Sequence, residues 1–198
     1  MDADAVKLWR RGERARLIAL RQGLPADERR QSGERIAAAV RALLEGRPGI
    51  LGCYWPFRAE FDPRPLIEEA VRAGRTIALP VVVDKRGPLE YRAWRPGEPL
   101  VDGVWNIPVP ERGAVVTPAI VLAPLVGFDL GCYRLGYGGG FFDRTLGALA
   151  PRPLAIGVGF AFQELATIHP QPFDVPMEWI VTEAGARRRD PGAQSPRG

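Results

Sequence analysis

Histidine and cysteine are scarce in this 198-residue chain: His169 is the only histidine, and Cys53 and Cys132 are the only cysteines. The two thiols stand far apart and form no CxxC pair, so neither a disulfide framework nor a thiolate metal site is expected, and both read as reduced structural cysteines. One histidine without a cysteine cluster also argues against a zinc centre. His169 falls outside every motif and reads as structural or surface. There is no nucleophile elbow and no Ser/His/Asp arrangement, which removes the common hydrolase layouts. Long apolar runs are missing too. The longest, residues 120–128 and 154–162, are far too short to cross a bilayer. The first residues mix charges with apolar side chains and lack a signal peptide's apolar run, so a cytoplasmic protein with no membrane partner is expected. No internal repeat is visible.

What is present suits a soluble globular protein: 46% hydrophobic and 25% charged residues. The length allows one substantial core and is short for two domains. With 23 glycines and 20 prolines the chain is rich in loops, yet below the level that signals disorder. A net charge of +4 would suit nucleic acid, a membrane surface or a small anion, and is too modest to choose among them.

Apolar spacing predicts a basic helix over residues 5–21 and a second over residues 25–44, ended by Gly46 and Pro48. Residues 50–57 read as a buried strand. Asp62 and Pro63 look like the cap and first position of a helix lasting to Gly74. Residues 75–83 form the next strand, interrupted or ended near Pro80, residues 89–94 an edge strand, and residues 105–110 a proline-punctuated loop. Residues 119–128 give the clearest strand pattern, broken by Pro124. A short helix follows over residues 143–149, then strands at 154–161 and 179–181. This alternation predicts an α/β fold: a single three-layer domain over residues 1–183, with a mostly parallel sheet and helices on both faces. Residues 184–198 carry three consecutive arginines, then Pro, Gly and Ser. They read as a disordered tail.

The informative segment runs from Arg134 through Leu135, Gly136, Tyr137, Gly138, Gly139, Gly140, Phe141 and Phe142 to Asp143 and Arg144. It joins the end of a buried strand to a helix, where open α/β sheets place ligands. Its four glycines let the backbone approach a phosphate and turn N–H groups toward it. The following helix adds its positive end. Arg134 and Arg144 offer cationic contacts, and Asp143 offers the hard oxygen that Mg²⁺ takes beside substrate phosphates. A Walker A loop is absent. So is the dinucleotide fingerprint, because its sixth position counted from Gly136 is Phe141. Glycine content alone would fit a tight packing loop equally well. The flanking charges favour a nucleotide or phosphate, with or without a metal.

This string resembles the ATP loop of the 5-formyltetrahydrofolate cyclo-ligase family, also called methenyltetrahydrofolate synthetases, and the resemblance covers nearly the whole chain. Lys7-Leu-Trp-Arg10-Arg11 is similar to the family's opening helix, where a lysine and an arginine four residues on reach ATP phosphates; these would be Lys7 and Arg11. The segment from Tyr54 to Asp62 resembles the folate-contacting strand end, which implies substrate roles for Trp55 and Glu60. Trp105-Asn-Ile-Pro108 looks like the loop over the pterin. Phe173-Asp174-Val-Pro-Met-Glu178 is similar to a C-terminal motif whose first acid, Asp174, joins Asp143 at the metal. Two departures stand out: Phe141-Phe142, where the family has a tyrosine before the aspartate, and Glu178 where it has Asp. They bear on substrate fine-tuning more than on the reaction.

The resemblance implies ATP- and Mg²⁺-dependent closure of 5-formyltetrahydrofolate to 5,10-methenyltetrahydrofolate through phosphorylation of the formyl oxygen. No covalent protein nucleophile is needed. It assigns Arg134 and Tyr137 to catalysis, and Lys7, Arg11, Arg134, Leu135, Gly136, Tyr137, Gly138, Gly139, Gly140, Phe141 and Phe142 to ATP. Trp55, Glu60, Trp105, Tyr137, Gly138, Gly139, Gly140 and Phe141 would face the folate, and Asp143 and Asp174 the Mg²⁺. The partners expected are these small molecules, without nucleic acid, and the chain is expected to be a monomer. Each residue also has a plainer reading: a solvated basic face for Lys7 and Arg11, packing for the tryptophans, a turn for Asp174, and helix ends for Glu60 and Asp143. Two other functions fit the sequence. One is a nucleotide- or folate-binding relative without turnover, with a regulatory role. The other is nucleic-acid binding through the basic residues, against which stand interspersed acids and no RNA-binding motif.

Overall fold

The computed structural model describes residues 2–190. In chain order the elements are α1 (Ala3–Gln22), α2 (Ala26–Leu44), β1 (Leu51–Gly52), α3 (Arg64–Arg72), β2 (Ile77–Val81), β3 (Glu90–Trp94), β4 (Leu100–Asp102) and β5 (Pro108–Pro110). They continue as β6 (Ile120–Pro124), β7 (Gly127–Asp129), β8 (Arg134–Leu135), α4 (Phe141–Ala148), β9 (Leu154–Val158), β10 (Glu164–Leu165), β11 (Trp179–Thr182) and β12 (Gly185–Arg188).

The helices form where sequence chemistry favours them. Asp2 caps α1, its carboxylate accepting from the Ala5 N–H at 2.7 Å, and Gly23 follows the last turn. One stripe of α1 is buried: Val6, Arg10, Leu17 and Arg21, at the spacing of a single helix face. On α2 that stripe is Ile36, Val40 and Leu44. The third helix starts one position later than the Asp62-Pro63 pair suggests. Pro63 holds the cap position, and the Asp62 carboxylate accepts from the Arg64 N–H at 3.0 Å.

The central sheet has seven strands in the order β12-β11-β9-β6-β1-β2-β3. Its five inner strands run parallel, and the edges β3 and β12 are antiparallel. Alternating residues feed two cores. On one face Leu51, Ile77, Ile120, Leu122 and Ile156 meet Ile36 and Val40 of α2 and Leu66 and Ile67 of α3. On the other, Ala78, Val121, Ala123 and Ile180 meet Leu146 of α4. The expected α/β fold with helices on both faces is therefore present. A small sheet, β10-β7-β8, and the hairpin β4-β5 lie beside it.

Four elements differ from the sequence reading. The strand expected at residues 50–57 is paired only at Leu51–Gly52, and the chain leaves the sheet ahead of Pro56, which has no N–H to donate. The apolar run 119–128 is two strands in two sheets, divided after Pro124. The loop expected at 105–110 contains a 3₁₀ turn, Val104–Asn106, and the strand β5. Finally, the disordered tail placed at 184–198 begins instead with an ordered strand. Gly185–Arg188 pairs antiparallel with β11, turning at Gly185 with φ +129°. Its polar side chains conceal it, because an edge strand can be held by backbone pairing and protected by charge without apolar alternation. Arg187 pairs with Glu164 at 2.8 Å, and the Arg188 guanidinium lies over the Trp179 ring. Residues 191–198 of that tail lie outside the described residues.

Candidate active site

The C-terminal ends of β1, β2 and β6 open into one cavity. The glycine loop between β8 and α4, the turn carrying Trp105 and the segment carrying Asp174 close around it. Trp55, Glu60, Trp105, Arg134, Leu135, Gly136, Tyr137, Gly138, Gly139, Gly140, Phe141, Phe142, Asp143 and Asp174 all line it. Lys7 and Arg11 do not. Both are exposed on α1, and Arg10 and Arg14 line the cavity in their place. Helical phase accounts for Arg11, which lies about 100° around the helix from Arg10, whereas Lys7 shares the phase of Arg14 and lies nearly two turns before it toward the start of α1. Arg10, Arg14 and Arg21 are the site-region residues that sequence reasoning missed. Their available signal was a set of arginines at four- and seven-residue spacing beside Leu17, on the side of α1 that should be apolar.

The glycine loop is shaped by close contacts. A Cβ at Gly136 would fall 2.3 Å from Nη1 of Arg134, so glycine is what lets that guanidinium lie against the loop. Gly138 and Gly140 take φ +97° and +66°, a region side-chain-bearing residues avoid. Gly140 is also the cap position of α4. The Arg14 Nε donates to the Gly136 carbonyl at 2.7 Å, tying α1 to the loop. Arg134 donates to the Pro124 carbonyl and pairs with Asp143 at 3.2 Å, while its Nε is buried without a partner among the described residues.

One end of the cavity is therefore crowded with cations. Burial lowers the pKa of the Arg14 guanidinium first, and the neighbouring charges of Arg10 and Arg134 lower it further. An incoming polyanion relieves that repulsion. The two aspartates stand here as well, each on an arginine. Asp143 accepts from Arg134 and from the Val175 N–H at 3.2 Å. Asp174 pairs with Arg10 at 2.5 Å and accepts from the Gln171 N–H at 2.7 Å. Among the described residues no group of three His, Cys, Asp or Glu side chains could hold a metal alone. The donor set still fits Mg²⁺ brought in by a nucleotide. Such an ion takes most ligands from water and phosphate and needs only one or two carboxylates, and a carboxylate accepting two hydrogen bonds retains lone pairs.

The other end is aromatic. Trp105, half exposed on a backbone of φ +59°, sits 6.4 Å from the ring of Tyr137 and 6.4 Å edge-on from Phe141. Phe57 lies 5.8 Å from Tyr137, and Trp55 packs edge-on against Trp94. Phe57 and the exposed Phe173 also border the cavity and were not singled out by sequence. Glu60 lies in this apolar setting, 6% exposed, facing the cavity and not a helix end. Its Oε1 accepts from the Tyr137 hydroxyl at 2.9 Å and its Oε2 from the Phe57 N–H at 2.9 Å. Burial pushes its carboxyl up to about 7, against the opposing charge of Arg21. Burial also pushes the Tyr137 phenol well up, so it stays a neutral hydroxyl. The His169 ring packs edge-on against Trp9 away from the cavity, and its carbonyl accepts from Arg10 at 2.9 Å. Glu178 is outside the cavity and pairs with Arg188 at 3.4 Å.

The fold and cavity together define an α/β protein in which one large cleft joins an arginine-flanked glycine loop to an aromatic-lined end. Comparison with known proteins narrows this class. The family model described as the 5-formyltetrahydrofolate cyclo-ligase family matches residues 6–183. A 5-formyltetrahydrofolate cyclo-ligase of Escherichia coli K12 is 30% identical over 173 residues, covering 82% of this chain and 93% of the relative. One from Mycolicibacterium smegmatis is 29% identical over 178 residues, covering 85% and 91%. Among solved structures, the 5,10-methenyltetrahydrofolate synthetase of Aquifex aeolicus superposes with a TM-score of 0.80 at 28% identity, covering 95% of this chain and 97% of that one. A Mycoplasma pneumoniae synthetase shares the fold, with a TM-score of 0.74 at 21% identity over 88% of this chain and 98% of its own. The chain belongs to the 5-formyltetrahydrofolate cyclo-ligase family and is an enzyme of that class.

Proposed function

We propose that the chain converts 5-formyltetrahydrofolate and ATP to 5,10-methenyltetrahydrofolate, ADP and phosphate, acting as a monomer in which one chain supplies the whole cavity. The observation that carries this reading is the division of the cavity: three arginines and a glycine loop at one end, a buried carboxylate among aromatic rings at the other. The formyl oxygen attacks the γ-phosphorus and displaces ADP. N10 then adds to the activated formyl carbon and gives up its proton, and the C–O bond breaks to release hydrogen phosphate, which carries away the original formyl oxygen and that proton. The amide-like oxygen leaves poorly until phosphorylated, which is why ATP is consumed.

The protein's part is positioning and charge neutralisation. Arg14, which spends only Nε on the Gly136 carbonyl, and Arg134 meet the triphosphate, with the backbone of residues 136–140 around it. Arg10 holds Asp174 in place and adds charge, taking with Arg14 the role expected of Lys7 and Arg11. Asp143 and Asp174 would hold Mg²⁺, directly or through water, and the ion would neutralise phosphate charge. Glu60 receives N–H groups of the reduced pterin, a donor array that suits a carboxylate. Trp55, Trp105 and Phe141 pack on its flat rings. Tyr137, between the two ends, keeps its hydroxyl on Glu60 beside the reacting formyl group.

The test follows the methenyl product by its near-ultraviolet absorbance. Purified protein with 5-formyltetrahydrofolate, ATP and Mg²⁺ should give a rise that requires ATP. Arg134→Ala should lower it by about 100-fold or more, as for loss of a group that stabilises developing charge. Binding of both substrates with no rise would overturn the reaction and leave a binding protein.

A further inference from the structure

Arg21 occupies the place on the buried stripe of α1 where a hydrophobic residue is expected, and it is 1% exposed. Burying a cation is unfavourable unless its donors are matched. Here all three nitrogens are used. Nε donates to the Arg58 carbonyl at 2.9 Å, Nη1 to the Leu125 carbonyl at 3.1 Å, and Nη2 to the Tyr137 hydroxyl at 2.5 Å. Glu60 Oε1 lies 4.0 Å from Nη2. Arg21 is not among the residues lining the cavity, so it reaches the ligand only through others.

The Arg58 contact has a particular consequence. Arg58 and Ala59 have φ of +48° and +59°, two successive side-chain-bearing residues in the left-handed region, and Glu60 follows them directly. Such backbone persists only where its surroundings hold it. Arg21 grips this turn at the Arg58 carbonyl, and Glu60 secures its other side by accepting from the Phe57 N–H. The same guanidinium fixes the oxygen of Tyr137, which donates to Glu60. One side chain thus sets both the turn that aims the carboxylate and the hydroxyl that orients it.

We propose that Arg21 is a positioning residue of this site, holding the Arg58–Ala59 turn and the Tyr137 hydroxyl from behind so that Glu60 faces the pterin. The proposal rests on the reading of Glu60 as the pterin's partner. The groups acting on Glu60 are Arg21 from α1, the Phe57 N–H, Tyr137 from the glycine loop, Arg134 from β8 and Tyr54 from the segment after β1. Arg21 is the strongest of those that favour its charged form.

The experiment measures equilibrium binding of 5-formyltetrahydrofolate without ATP, between about pH 5.5 and 9, for wild type, Arg21→Met, Arg21→Lys and Glu60→Gln. Thermal melts establish that each variant is folded. Wild-type affinity should rise through a midpoint near the Glu60 value of about 7. Arg21→Met should move that midpoint upward by about one pH unit and weaken binding at neutral pH about tenfold. Arg21→Lys should keep the midpoint and still bind several-fold more weakly, because one ammonium cannot reproduce a three-way planar fork. A purely structural arginine would lower the melting temperature and leave midpoint and affinity as in wild type, and that result overturns the proposal. If Arg21→Met fails to fold, Arg21→Lys decides alone: wild-type affinity there overturns it. Glu60→Gln separates the two readings. Wild-type binding in that variant removes the pterin role of Glu60 and this proposal with it. Weak binding there beside an unchanged Arg21→Met profile removes the Arg21 proposal only.

Discussion

At Glu60 the site and the stability of the fold pull in opposite directions. Its carboxyl, ordinarily at 4.5, is raised to about 7 by burial. Between those values the folded chain holds a proton that the unfolded chain has released. The stabilising difference is fully present below the unfolded value and is lost as pH rises through the folded one. This group should therefore withdraw roughly 3 kcal/mol from stability between about pH 4.5 and 7. Glu60→Gln, which keeps the shape without the charge, should flatten that part of a denaturation-versus-pH profile while weakening folate binding. An unchanged slope in Glu60→Gln would mean the carboxylate is better solvated than its 6% exposure implies. Sequence showed this residue only through its motif. By itself it reads as an acid near a helix start, because nothing in a one-dimensional string states that Arg58 and Ala59 turn left-handed and swing it into the cavity.

Among the elements, α1 departs most from the residues first assigned to it. The helix itself was legible from its apolar spacing, and so were α2, the edge position of β3 and the place of the glycine loop between a strand and a helix. The face of α1 turned inward was not legible, because arginines stand at exposed and buried positions alike and charge does not mark phase. Geometry separates them: Arg14 bonds the Gly136 carbonyl, whereas Arg11 is exposed. Arg14→Met should raise the KM for ATP at least tenfold, and Arg11→Met should leave it within about twofold, since exposed charges beyond direct contact are largely screened. Comparable effects of both would return the phosphate role to the outer face. The strand β12 is the second element sequence did not reveal. Ending the chain at Glu183 would leave β11 as a bare edge and remove the ion pairs of Arg187 and Arg188. A loss of about 2 kcal/mol, or roughly 4–8 °C in Tm, is expected, with little change in KM because the strand lies away from the cavity.

At the scale of the whole molecule, the sheet sets two unlike binding regions side by side, and one short loop belongs to both. Arg134 begins that loop at the cationic end, and Tyr137, three residues on, touches Glu60 at the aromatic end. On the proposed reading, a nucleotide that holds the loop would also fix the Tyr137 hydroxyl, which donates to Glu60. Binding at the two ends should therefore be coupled, and linkage makes the coupling reciprocal. Calorimetric titration of 5-formyltetrahydrofolate in the presence of a non-hydrolysable ATP analogue should give an affinity about 5- to 20-fold tighter than without it, with the analogue gaining the same factor from the folate. Tyr137→Phe removes the one hydroxyl shared by Arg21 and Glu60 while keeping the ring that packs beside Trp105 and Phe57. In that variant the coupling should fall toward unity, while the analogue alone binds as to wild type. Full coupling in Tyr137→Phe would mean that the two ends communicate by another route, through contact between the ligands themselves or closure of the Trp105 turn over both.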